Sequence, residues 1–221
     1  MFRGALNRNP MPRLFSYTIP VDDGAAPNPF RGMCTLTICK PKIRMKAEVG
    51  DWVVGLGSVR APSGNLGGKM VYAMRVDQIV SLRDYDRLAP HYWPSRIPNL
   101  GSRILTERLG DCIYDFSKGA APVQRPGVHG PKNVRTDLSG HNALISRHYF
   151  YFGRNAIALP RRLRPIIHQT QSHKVRTNEP FVQPFIRWLY SLGLEPNHLY
   201  GWPDFEPDWS TLPQKGCPAR C

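Results

Sequence analysis

The sequence predicts an α+β fold in which a small mixed β-barrel carries peripheral helices and a C-terminal extension. Its 22 prolines and 19 glycines among 221 residues favour short strands and long loops over a helical bundle. Residues 34–80 contain an apolar run, a basic connector, the turn Gly50-Asp51, a second apolar run, a glycine-rich loop and a long apolar segment. We therefore expect two paired strands, at 52–56 and near 70–76, joined by a loop at the barrel mouth.

Other elements follow from local patterns. Residues 14–19 form an apolar opening strand that Pro20 ends. Residues 42–49 alternate as a strand would, but Pro41 at the start and Gly50 at the end favour a short helix. A short helical turn is expected within 84–98, and a short strand within 110–116. Residues 143–152 predict one central strand that is covered on both sides.

The last part of the chain predicts a helix and an extension. Asn178 is placed to cap a helix that runs to Leu192, with Gly193 as its stop and Pro184 removing one hydrogen bond. We expect three parts: a flexible basic arm at 1–13, the main domain at 14–193, and a strap rich in proline, aromatic and acidic residues at 194–221. The arm lacks the apolar segment of a secretory signal.

The order of segments in 34–80 resembles small barrels of the PUA, ASCH, EVE and YTH group. In such barrels a flipped base sits in a pocket at the mouth, so the resemblance implies a base-binding site at the loop end of the strand that begins at Trp52. Trp52 itself is then expected in the core. The predicted base-binding residues are two from the loop and three nearby rings: Gly57, Ser58, Tyr17, Trp93 and Tyr114.

Charge points to a polyanionic partner. The formal net charge is +14, and between residues 121 and 187 we count 11 basic against 2 acidic residues. Such an excess attracts phosphates, so we expect nucleic acid or a nucleotide, modified DNA above all; a solvated basic surface is the alternative. The predicted phosphate contacts are Lys42, Arg44, Arg147, Arg161, Arg162, Arg164 and Lys174.

Cysteine usage and hydropathy suggest a cytoplasmic protein. Five cysteines are an odd number, as expected in a reducing compartment, and no apolar run approaches the 18 residues of a membrane span. If 34–39 is a strand, Cys34 and Cys39 face opposite sides and cannot join Cys217 and Cys221 in one zinc site.

No metal or other cofactor is expected from the sequence. An iron site drawn from Asp137, His141, His148 and His173 lacks any tight motif spacing. The glycines at 55 and 57 do not open a helix, which excludes a phosphate loop. Cys39 or Ser58 beside a histidine could act as a nucleophile, although nothing in the local sequence marks either as activated.

Several short sequence motifs resemble those of the nucleotide modification associated domain family, second type. The more specific ones are APNPF at 26–30 and CKPKIR at 39–44, and the similarity extends over about residues 14–174, with a departure at 83–100. The resemblance implies a place beside base-modification systems of phages and bacteria. We therefore expect a module that binds a modified or flipped base, with two alternatives: an enzyme that modifies a nucleobase or nucleotide, or a protein-interaction module.

Overall fold

The computed structural model describes residues 11–168, 170 and 172–209. Its strands are β1 Leu14–Ile19, β2 Cys34–Leu36, β3 Trp52–Gly57, β4 Lys69–Arg75, β5 Gln78–Ser81, β6 Tyr114–Asp115, β7 Val123–Gln124, β8 Asn142–Ser146, β9 His148–Tyr151, β10 Ile157–Ala158 and β11 His198–Leu199. Its α-helices are α1 Pro41–Lys46, α2 Leu82–Tyr92, α3 Leu105–Arg108, α4 Val134–Leu138 and α5 Val182–Ser191. Short 3-10 helices lie at Pro94–Arg96, Pro131–Asn133, Gly153–Asn155, Arg161–Ile166 and Arg176–Phe181.

The main sheet has the strand order β1-β3-β4-β9-β11, and β10 also pairs with β4. The predicted pair β3 and β4 is antiparallel, as expected for strands joined by a loop, whereas β1 runs parallel to β3. The register shifts between Gly55 and Leu56. Consequently Met70 belongs to the same core cluster as Ala73, while Tyr72 packs in a different one, and both faces of β4 are buried.

The second sheet has the order β2-β8-β5 and is joined to the main sheet at a corner. β4 and β9 pair in the main sheet, while the segments that adjoin them, β5 and β8, pair in the second. Asp77 and Arg147 occupy the two crossing points, where the Asp77 carboxylate accepts a hydrogen bond of 2.6 Å from the Arg147 backbone N–H. The predicted single strand at 143–152 is therefore two strands that belong to different sheets.

Helices and loops cover the faces of these sheets. One core cluster packs α5 and the 3-10 helix Arg161–Ile166 against the side of the main sheet that carries Trp52. A second cluster fills the space between the main sheet, β2 and α1, and includes Tyr17 and Tyr72. The remaining two clusters lie around the loops on either side of β6 and against α2.

The α+β class is confirmed, but the described strands do not close into a barrel. They form three sheets, of six, three and two strands. β1 lies at one edge of the main sheet, and Ser16 there exchanges backbone hydrogen bonds of 3.0 and 2.9 Å with Lys174 instead of pairing with another long strand. The PUA/EVE-like barrel predicted from the segment order is therefore not confirmed.

Two helix predictions have different outcomes. The short helix favoured over a strand at 42–49 is confirmed as α1. The later helix begins at Val182 and not after Asn178, because the buried Asn178 amide donates to Leu14 O and to Ser16 Oγ. Pro184 is the third residue of α5, where a missing N–H costs no bond within the helix. Gly193, with a φ of 64°, follows the helix as expected.

The three-part organisation of the chain stays a prediction. Residues 1–10 of the arm and 210–221 of the strap, with Cys217 and Cys221, lie outside the described residues. The described part of the strap adds β11 to the edge of the main sheet beside β9. In the part of the chain that the structure describes, no helix is both long and apolar enough to cross a bilayer.

Candidate functional site

The connection from β2 to α1 is a sharp turn in an unusual backbone conformation. Cys39 and Lys40 have φ values of 57° and 40°, in the left-handed region that residues with a side chain rarely adopt. The Arg44 guanidinium fixes this turn from inside the protein. It donates hydrogen bonds of 2.8 Å to Cys39 O, 2.6 Å to Gly140 O and 2.8 Å to Asn142 O. Burial lowers the pKa of Arg44 to about 10, so the side chain stays charged at neutral pH.

Cys39 faces a buried histidine and carboxylate. Its Sγ lies 3.3 Å from His129 Nε2, and His129 Nδ1 lies 2.6 Å from Asp137 Oδ2. Asp137 also accepts hydrogen bonds of 2.8 Å from the Cys39 backbone N–H and from the Tyr114 hydroxyl. We call Cys39, His129 and Asp137 the buried triad; their exposed fractions are 5 %, 3 % and 1 %.

Within the described residues, the triad is also the group that could offer three ligands to a metal ion, with the candidate atoms within 4.8 Å of one another. However, Asp137 is bonded to one ring nitrogen of His129 while the thiol is near the other, so the histidine lies between its two partners. This arrangement orients an imidazole and does not direct three ligands at one point. The four residues considered for iron are not brought together: His148 contacts Tyr190, and His173 contacts Phe15.

A second feature is a group of cations that surrounds two histidines. We call it the lysine cluster: Lys40, Lys42, Lys46 and Lys174, with His168 and His173. Burial lowers the pKa of His168, and the charges of Lys174 and Lys40 lower it further. Burial also lowers the pKa of His173, as do Lys46, His168, Lys42 and Lys40. Lys42, Lys46 and Lys174 form no salt bridge with a described carboxylate.

Three cavities within the described residues border the lysine cluster. A cavity of about 190 Å³ is lined by Lys40, Pro41, Lys42, Ile43, Thr136, Ser172 and His173. A cavity of about 490 Å³ is lined by Thr18, Gly57, Ser58, Val59, Asn65, Gly67, Gly68, Ile167 and His168. A further cavity of about 550 Å³ lies beside β1, with a mainly apolar wall that includes Leu14, Phe15 and Val182; its lining also contains Lys46, Arg13, Arg176 and Glu179. The described lining of each of the first two contains a histidine of the cluster and no carboxylate, so they are the better candidates for an anionic ligand.

The predicted base-binding residues do not share one site. Gly57 and Ser58 line the 490 Å³ cavity together, at the loop end of β3. The Tyr17 ring is buried and its hydroxyl is 2.9 Å from that of Tyr72, Trp93 stacks on Tyr85 with ring centroids 5.6 Å apart, and Tyr114 bonds to the triad. Among the described residues that line the cavity there is no Phe, Tyr or Trp ring. The three rings therefore do not form the aromatic wall expected for it.

Arg44 is the one predicted phosphate contact whose placement argues against that role. Its side chain is fully buried and its donors are used by backbone carbonyls. Lys42 and Lys174 lie in the lysine cluster. The other four are exposed: Arg147 at the corner between the sheets, and Arg161, Arg162 and Arg164 on one 3-10 helix. Because these arginines face solvent, a phosphate could reach them.

Comparison with protein families decides what the chain is related to. The family model described as nucleotide modification associated domain 2 matches residues 11–209. The chain belongs to this family. Comparison with curated proteins and with solved structures gave no significant match. Membership places the protein in the context of nucleotide modification, and the family name specifies neither binding nor catalysis.

The motif CKPKIR, which suggested the nucleotide modification associated domain 2 family, contributes residues to both the buried triad and the lysine cluster. Cys39 belongs to the buried triad, Lys40 and Lys42 to the lysine cluster, and Arg44 fixes the turn. Sequence reasoning considered Cys39 beside a histidine but did not identify which one. His129 lies 90 positions away in a loop rich in glycine and proline, so no local spacing reveals it.

Proposed function

We propose that this protein binds a nucleotide, free or within nucleic acid, with its phosphate at the lysine cluster and its base in the 490 Å³ cavity. The observation that carries the proposal is that two histidines with lowered pKa values lie among four lysines. The lysine charges repel one another and disfavour protonation of the two histidines, and a bound anion offsets this repulsion. Phosphate is the anion that the family context suggests.

His168 connects the two halves of the proposed site. It is part of the lysine cluster and also lines the 490 Å³ cavity, beside Gly57 and Ser58. The volume lies within the range of about 300 to 1,000 Å³ that is typical of small-molecule pockets. In this arrangement Ser58 offers a hydroxyl to the edge of a base, while Lys42 and Lys174 contact the phosphate. A base would bind there by edge contacts and shape, since the described part of the lining has no Phe, Tyr or Trp ring to stack on it.

The family context makes a modified or flipped base of DNA our preferred ligand. Glycine at position 57 does not by itself support this, because a Cβ there would lie 2.4 Å from Leu66 Cβ, so packing of the loop requires the glycine. The support comes from the position of the cavity at the loop end of β3 and beside the cationic groups. An extruded base could enter the cavity while its flanking phosphates stay at the surface.

Calorimetric titration with the four deoxynucleoside 5′-monophosphates, and with the corresponding nucleosides, tests the proposal. We expect at least one monophosphate to bind more tightly than its nucleoside at low salt, because a charge-assisted contact to phosphate is made. Lys42→Gln should weaken monophosphate binding by about tenfold, the equivalent of one such contact. Arg87→Gln removes an exposed cation on α2 and is the matched control.

The proposal fails if no monophosphate and no single-stranded DNA binds at low salt. It also fails if both variants weaken binding equally, since the lysine cluster would then have no special part.

A further inference from the structure

The buried triad has the order of groups that activates a nucleophile. Cys39 Sγ lies 3.3 Å from one nitrogen of His129, and the other nitrogen is 2.6 Å from Asp137. We propose that Cys39 is the nucleophile of an acyl-transfer site, in which His129 is the general base and acid and Asp137 positions the imidazole. This goes beyond nucleotide binding: the reacting groups are separate from the proposed nucleotide site, and only the substrate class rests on the lysine cluster of the proposed function.

The hydrogen bonds select the tautomer that this chemistry needs. Asp137 Oδ2 accepts from His129 Nδ1, which leaves Nε2 as the nitrogen that can take the thiol proton. Tyr114 donates to the same carboxylate oxygen, and the Cys39 backbone N–H donates to the other. Asp137 is therefore held from two sides, and it fixes both the histidine ring and the residue that carries the thiol.

The backbone around Cys39 supports the same conclusion. Two successive residues with side chains, Cys39 and Lys40, have positive φ values in a strand-to-helix turn. Such a conformation costs free energy and persists where the surroundings enforce it, as at the strained turns that present nucleophiles in other enzymes. Here Arg44 enforces it through Cys39 O, and Asp137 enforces it through the Cys39 N–H.

Two other cysteines are internal references. Cys34 and Cys112 are also buried, and burial raises the pKa of both thiols. Cys112 has the Asp86 carboxylate and the Arg125 guanidinium as neighbours, each at 3.7 Å, in place of an imidazole. Because a thiolate and not a thiol is the nucleophile, these two cysteines should be inert. Cys39 differs from Cys112 by facing an oriented histidine.

The 190 Å³ cavity is our candidate location for substrate. Its lining includes Lys40 and Thr136, the residues adjacent in sequence to Cys39 and Asp137, but none of the triad side chains, so substrate would have to displace this lining to reach Cys39 Sγ. Lys42 and His173 also line it, so the cavity is cationic where it meets the lysine cluster. We therefore assign as substrate class an acyl group, in amide or ester linkage, on an anionic molecule.

The reaction balances with water as the second reactant. The thiol proton moves to His129 Nε2 as the sulfur bonds to the acyl carbon. The bond from that carbon to nitrogen or oxygen breaks, and the leaving amine or alcohol takes the proton from His129. Water then gives a proton to His129 and attacks the thioester, which releases the carboxylic acid and returns the sulfur as a thiol.

Iodoacetamide labelling of the native full-length chain tests whether Cys39 is activated. Peptide mass spectrometry over time at pH 7 gives separate rates for Cys39, Cys34 and Cys112. We expect Cys39 to react at least about tenfold faster than the other two. Asp137→Asn should reduce the Cys39 rate at pH 7 by about tenfold, with recovery at alkaline pH, where thiols ionise without help. Equal slow rates at all three cysteines in the wild-type protein would overturn the proposal without any variant.

Acylation by 4-nitrophenyl acetate tests the chemical step. We expect a burst of about one equivalent of 4-nitrophenolate, with an acetyl group on the peptide that contains Cys39. Cys39→Ala should abolish the burst, whereas the control Cys112→Ala should retain it. Absence of acetyl at Cys39 in the wild-type protein overturns the proposal. So does stoichiometric zinc that remains through dialysis and is lost in Cys39→Ala, because the triad would then be a metal site.

Discussion

The residues at the two ends of β3 have different surroundings. Trp52 lies in the core, and Ser58 lines the proposed ligand site. Trp52, at the start, is 2 % exposed and packs edge-on against His148, Phe185 and Tyr190, with centroid distances of 5.7, 6.2 and 6.5 Å. Ser58, just beyond the end of the strand, lines the 490 Å³ cavity, and its Oγ accepts a 3.0 Å hydrogen bond from the Arg60 N–H. The two residues should therefore respond differently to truncation.

Trp52→Ala should lower the free energy of unfolding by about 3 to 5 kcal/mol, the usual cost of removing a buried tryptophan. Ser58→Ala should change it by less than about 1 kcal/mol, because one exposed hydrogen bond is lost, and should weaken nucleotide binding. Urea denaturation and calorimetric titration of both variants provide the comparison. A stable Trp52→Ala protein that has lost selectivity between bases would place the ligand at the opposite end of β3.

Asp22 should give the protein a distinctive pH dependence. Burial raises the pKa of this carboxyl to about 7, and the hydrogen bond from Tyr151 only partly opposes the shift. Because the folded-state pKa lies above the unfolded value, protonated Asp22 stabilises the fold at low pH. This contribution should decline as the pH rises from about 4 to 7. In Asp22→Asn the decline should be absent, so subtracting the urea unfolding free energies of the two proteins isolates it. Parallel pH profiles would mean that Asp22 titrates normally.

Residue roles were predictable where they depend on local pattern. Trp52 opens an apolar run after a turn, and it is a core residue as expected. Arg44 was predicted to contact phosphate because it lies among lysines, yet it is buried and bonded to Gly140 and Asn142, which are nearly 100 positions away in sequence. Contacts of that separation leave no periodic signal, and the pairing of Cys39 with His129 was hidden for the same reason.

Elements were predictable where apolar runs are bounded by clear turn or capping residues. The opening strand and the β3 and β4 pair follow from apolar runs and the turns beside them, and helix α1 follows from Pro41 and Gly50 against an alternating pattern. The segment 143–152 has one continuous apolar pattern but two sheets as partners, because it crosses the corner at Arg147. Asp77 accepts the Arg147 N–H at that point, which replaces the backbone partner that a continuous strand would supply. A sequence pattern shows which faces are buried and not which sheet covers them.

At the scale of the whole molecule, local sequence patterns do not determine whether the main sheet closes into a barrel. A closed barrel and a set of open sheets use strands of the same composition, and the difference lies in how the first and last strands pair. Here β1 meets the Lys174 backbone and β11 forms the opposite edge, so the main sheet stays open. The same segment, 168–174, contributes His168, His173 and Lys174 to the lysine cluster. One stretch of chain therefore covers the edge of the sheet and also contributes three of the six residues of the proposed phosphate site.

Because the net charge is +14, basic residues over the entire surface can contribute to nucleic-acid binding. If phosphate contacts dominate, the logarithm of affinity for single-stranded DNA should fall linearly with the logarithm of salt, and each contact removed should reduce the slope by about 0.7. Arg161 and Arg162 are exposed and precede the segment 168–174, which contributes to the lysine cluster. The double variant Arg161→Gln with Arg162→Gln should therefore lower the slope by about 1.4. The matched control is Arg87→Gln with Arg103→Gln, which removes two exposed arginines, one from α2 and one from the loop before α3, and should leave the slope closer to the wild-type value. Fluorescence anisotropy at several salt concentrations gives the affinity of the wild-type protein and of the two double variants for single-stranded DNA. Equal slopes for the two double variants would show that binding depends on the overall charge and not on the surface that carries Arg161 and Arg162.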